Sequence, residues 1–136
     1  MRGPALLPGP LSPVGVPAAR SPREVFDAIV LRVVHELESR WHDELGTVEF
    51  AVEETPVLPD DWGSDTPVPL ASLVRAGAAG PTRLLLFRRP IELRSDTRGD
   101  LAAMVFTVLV EQVSELLGRP PEEVDPRYDP DDADDD

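Results

Sequence analysis

Apolar positions along this chain follow two different periods, and the change from one to the other marks its elements. From Phe26, the residues Ile29, Val30, Val33, Val34, Leu37 and Trp41 recur at three- and four-residue steps. That spacing puts them on one stripe of a helix. Just before them, Ser21-Pro22-Arg23-Glu24 supplies a serine cap, a proline at the first helical position and a glutamate at the third, which is a capping box. The pattern predicts a first helix over 22–44, closed by Gly46. The period then drops to two: Val48, Phe50 and Val52 alternate with Glu49, Ala51 and Glu53, as in a strand with one wet face. Residues 55–66 hold prolines, Gly63 and several aspartates and predict a loop. Val68-Pro69-Leu70 is a candidate short extended piece. Arg83-Leu84-Leu85-Leu86-Phe87-Arg88 is an unbroken apolar run between arginines, as expected of a more central strand, with Pro90 ending its pairing.

A second helix is predicted from about Asp96–Asp100 to Gly118, stopped by Pro120 and Pro121, with a short third helix from Pro121-Glu122-Glu123-Val124. With about 100° per residue, Leu101, Met104, Val105, Val108, Leu109, Val113 and Leu116 share its apolar face. Gln112 falls in the middle of that face, Glu115 inside its edge, and Glu111 just outside it. Polar groups on a core face are costly without partners, so this helix breaks its own pattern where a site would sit. The order helix, strand, strand, helix predicts an α+β domain over 21–124 with two main helices packed on a small mixed sheet. A Pro-rich extended arm (1–20) precedes it and a disordered acidic tail (125–136) follows.

Charge and composition narrow the functions. The net charge is −13, and all 13 basic residues are arginine. Residues 122–136 carry nine acids and one arginine, so most of the excess lies in the tail. Such a chain is a poor ligand for nucleic acid or an anionic membrane surface. There is no cysteine, which removes disulfides, thiolate chemistry and cysteine-bound zinc. No apolar run approaches the ~20 residues of a membrane span, and prolines at 4, 8, 10 and 13 interrupt any secretory signal. A cytoplasmic protein is the expectation.

The layout resembles the small single-domain zincin-like metallopeptidases of bacteria. The pieces that carry the likeness are Phe26-Asp27-Ala28-Ile29-Val30, then Val48-Glu49-Phe50-Ala51-Val52-Glu53-Glu54-Thr55-Pro56, then Phe87-Arg88-Arg89-Pro90-Ile91-Glu92. Together they span roughly residues 24–124. The resemblance implies a minimal zincin-like fold with the motif on the C-terminal helix. In that family the helix carries H-E-x-x-H, two further residues and a glycine; the histidines bind zinc and the glutamate is the general base. Counting back from Gly118 puts Glu111, Gln112 and Glu115 in those three positions. A glutamine has no carboxylate to take a proton from water. Two glutamates suit magnesium, calcium or manganese better than zinc.

The implied function is therefore a family member with a degenerate motif, without peptidase activity, that binds or regulates a protein or peptide and needs no cofactor. The alternative is a peptidase using one oxygen-ligated divalent cation on Glu111 and Glu115. A third reading is an interaction module working through its tail or arm. Like charges one turn apart repel, so arginines are the expected partners: Arg119, four residues after Glu115, and Arg83, Arg88 or Arg89 from the strand. Gln112 is expected as a buried amide with its bonds satisfied. His35 and His42 are expected exposed on the first helix, Trp62 as an aromatic anchor in the loop, and Ser114 away from any nucleophilic role.

Overall fold

The computed structural model describes residues 20–58, 62–63, 67–78 and 80–129. Nearly all of the expected arm, and the tail beyond Asp129, lie outside the described residues. Helix α1 runs Pro22–Arg40, and the capping box is formed in both directions: Ser21 Oγ accepts from the Glu24 N–H and Glu24 from the Ser21 N–H. The helix stops earlier than the hydrophobic spacing predicts. Trp41 leaves helical geometry at φ −121° and ψ 43°, and a separate turn, α2 (His42–Leu45), follows. The reason lies at the far end of the chain. Trp41 Nε1 donates to the Val124 carbonyl at 2.9 Å, so the indole is turned by a tertiary bond that local periodicity cannot show. Gly46 has an ordinary right-handed conformation and is not the left-handed cap expected there.

Three strands follow, β1 (Glu49–Glu53), β2 (Ala71–Val74) and β3 (Arg83–Phe87), in the spatial order β1-β3-β2. The apolar run is central, as its continuity implied. β1 pairs with it in parallel and β2 antiparallel, so the sheet is mixed. Strand β2 begins just after the expected extended piece at Val68–Leu70. Phe50, Val52, Leu84, Leu86, Ala71 and Leu73 meet in register on one face and pack into the core. Ala51, Leu85 and Ser72 lie on the other face and are half-buried; among the described residues no helix packs over that face.

The run of arginines does not continue the strand. Phe87 ends β3, and Arg88 opens a short helix, α3 (Arg88–Leu93). Pro90 occupies its first turn, where a missing N–H costs nothing. The motif helix α4 spans Arg98–Leu117, capped by Thr97, whose Oγ1 accepts from the Asp100 N–H at 3.0 Å. Its apolar stripe packs on α1, with Phe26, Leu37, Val105, Leu109, Val110 and Val113 fully buried. Helix α5 (Pro121–Val124) follows as the proline pattern predicted. The body extends past the expected boundary at 124: Asp125 is fully buried and Tyr128 packs against the core. The architecture is a small α+β domain with two long helices on one face of a three-stranded mixed sheet.

Gly118 closes α4 with φ 67° and ψ 33°, a left-handed conformation that costs any other residue type. A methyl group there would meet nothing within 4 Å, so only the backbone conformation is penalised. Gly118→Ala is expected to destabilise the protein by about 1 kcal/mol, read as a lower urea midpoint with an unchanged slope.

Candidate functional site

The C-terminal half of α4 holds the three residues the sequence singled out, and it treats them differently. Gln112 is half-buried, and among the described residues no hydrogen bond reaches its amide. It is not the satisfied core amide expected: its place on the face leaves it open to water. Glu111, placed just outside the stripe, is half-buried too, and the Tyr128 hydroxyl donates to its Oε2 at 2.7 Å. Glu115 is exposed. Its carbonyl, not its carboxylate, accepts a long bond of 3.4 Å from Arg75 Nη2.

None of the arginines expected to neutralise these glutamates does so. Arg119 pairs with Glu123 one turn on and lies over the Trp41 ring, 5.3 Å from its centroid. Arg88 is buried and is held by two carboxylates. Its Nε donates to Glu54 Oε2 at 3.0 Å and its Nη2 to Glu54 Oε1, while Nη1 reaches Glu92 Oε1 and Oε2 at 3.0 and 2.9 Å. Those hydrogen bonds hold the Glu54 carboxyl below its ordinary range against a smaller desolvation cost, and they raise Arg88. Arg89 is exposed, and its backbone N–H donates to the Glu54 carbonyl at 3.0 Å. Arg83 pairs with Glu49 at 3.2 Å.

A second cluster, unforeseen in the sequence, fastens the C-terminal segment. Asp125 is fully buried. Arg127 donates to it from its backbone N–H at 2.9 Å, from Nε at 3.1 Å and from Nη2 at 2.8 Å, and also reaches Glu36 at 2.9 Å. The Arg127 guanidinium lies 5.0 Å from the Phe106 centroid on α4, a cation–π distance. Arg40 adds a longer contact to Asp125 at 3.8 Å. Burial pushes the Asp125 carboxyl up, but the bonds from the Arg127 side chain and backbone, with the charges of Arg127 and Arg40, together outweigh it and bring it below its ordinary value. The segment thus carries Tyr128 over the motif helix to Glu111. Its sequence signal was the Asp-Pro-Arg-Tyr stretch, hidden because it opens a highly acidic run.

The other candidates behave as bystanders. His35 and His42 are exposed, on α1 and α2, and His42 faces only Asp43. Trp62 is half-buried. Ser114 Oγ donates to the Arg119 carbonyl, closing the helix end rather than serving a reaction.

The model of the zincin-like metallopeptidase family matches residues 43–129, which includes β1–β3, α4 and the packed segment through Asp129. The chain belongs to the zincin-like metallopeptidase family. No curated protein matches it. Among the described residues, no three His, Asp or Glu side chains come together to hold a metal ion. Zinc favours nitrogen and sulfur donors in a closed tetrahedron. Here the only carboxylates on the motif face are one engaged by a phenol and one exposed to solvent. These residues do not fit zinc.

With its folded-state value depressed, Asp125 contributes stability above the unfolded aspartate value of about 3.9 and loses that contribution as pH falls through the lower folded value. Asp125→Asn should cost about 2 kcal/mol at neutral pH. It should also flatten the acid limb of a plot of unfolding free energy against pH, so that the two proteins converge at low pH.

Proposed function

We propose that this family member is not a zinc peptidase but a binding or regulatory protein that engages a protein or peptide at the motif face of α4. The observation that carries the reading is the state of the motif face. Glu111, Gln112 and Glu115 stand where the resemblance puts the two metal ligands and the base. Glu111 is bonded to Tyr128, and Gln112 offers an amide with no protein partner among the described residues. An amide can donate to and accept from a peptide backbone, but it cannot draw a proton from water. Arg75, just past β2, reaches the same stretch of helix, so this face offers bonding groups without an engine for hydrolysis. No cofactor is needed for this work. The reading keeps the cytoplasmic location expected from composition.

Elemental analysis of protein purified without chelator should find no stoichiometric zinc, and highly purified protein should not cleave peptides in a chelator-sensitive way. Stoichiometric zinc, or robust cleavage abolished by chelator, would sink the proposal. Cleavage restored by magnesium or manganese and lost in Glu111→Ala would favour the oxygen-ligated alternative.

A further inference from the structure

We draw no further inference here: the strongest candidate, the groove between α1 and the open edge of β1, lined by Arg23, Asp27, Leu31, Phe50 and Val52, carries nothing because nothing in the structure shows what covers it.

Discussion

The seam between α1 and α4 is the constraint on which the other elements depend. A three-stranded sheet cannot bury enough apolar surface to stand alone. It is the buried line of Phe26, Leu37, Val105, Leu109 and Val113 that gives Leu84 and Leu86 something to pack against. Because α4 lays its stripe on α1 and against the neighbouring elements, the direction of its remaining faces is fixed. That puts Gln112 and Glu111 at the border between core and solvent. Here a polar side chain is neither forced into a bond nor wholly dissolved in water.

Polar anchors at the chain's bends then complete the fold. Arg88 stands where β3 turns into α3 and ties the end of β1 to α3 through Glu54 and Glu92. Asp125 stands where α5 ends and ties the C-terminal segment down through Arg127. In each, a buried ionised group is offset by opposite charge through several charge-assisted hydrogen bonds, the condition under which a buried charge is tolerated. The indole of Trp41 does the same work with a neutral group: it gives up a helical turn to cap the Val124 carbonyl. These anchors bring Tyr128 to Glu111, so the state of the motif face is set partly by a segment that begins after the motif helix ends.

What the sequence reveals and what it hides follow the range of the interactions involved. The capping box at Ser21 and Glu24, the central place of Leu84–Leu86 and the stop at Gly118 are local or periodic signals, and each is present in the fold. The break at Trp41 depends on a residue 83 positions away, and the burial of Asp125 depends on Arg127, Glu36 and Arg40 meeting in space. No spacing rule contains such contacts. The partners of Glu111 and Glu115 were misjudged for a related reason. Charge alone favours arginine, but Arg88 and Arg119 have acids nearer to hand at i+4, Glu92 and Glu123, and a phenol reaches Glu111 instead. Strand β2 was displaced by a few residues because Val68-Pro69-Leu70 has the apolar composition of a strand but also the proline that excludes one.

The mixed sheet gives this small domain two unlike edges. On the β2 side the antiparallel edge runs beside the motif helix, where Arg75 reaches across to the Glu115 carbonyl. On the β1 side the parallel edge runs beside α1, with Arg23, Asp27 and the exposed Leu31 along the helix. A fold that closed both edges would need more strands or more helix than the described residues supply. Among the described residues both edges therefore carry backbone groups without a ladder partner. An interaction protein can use such edges directly.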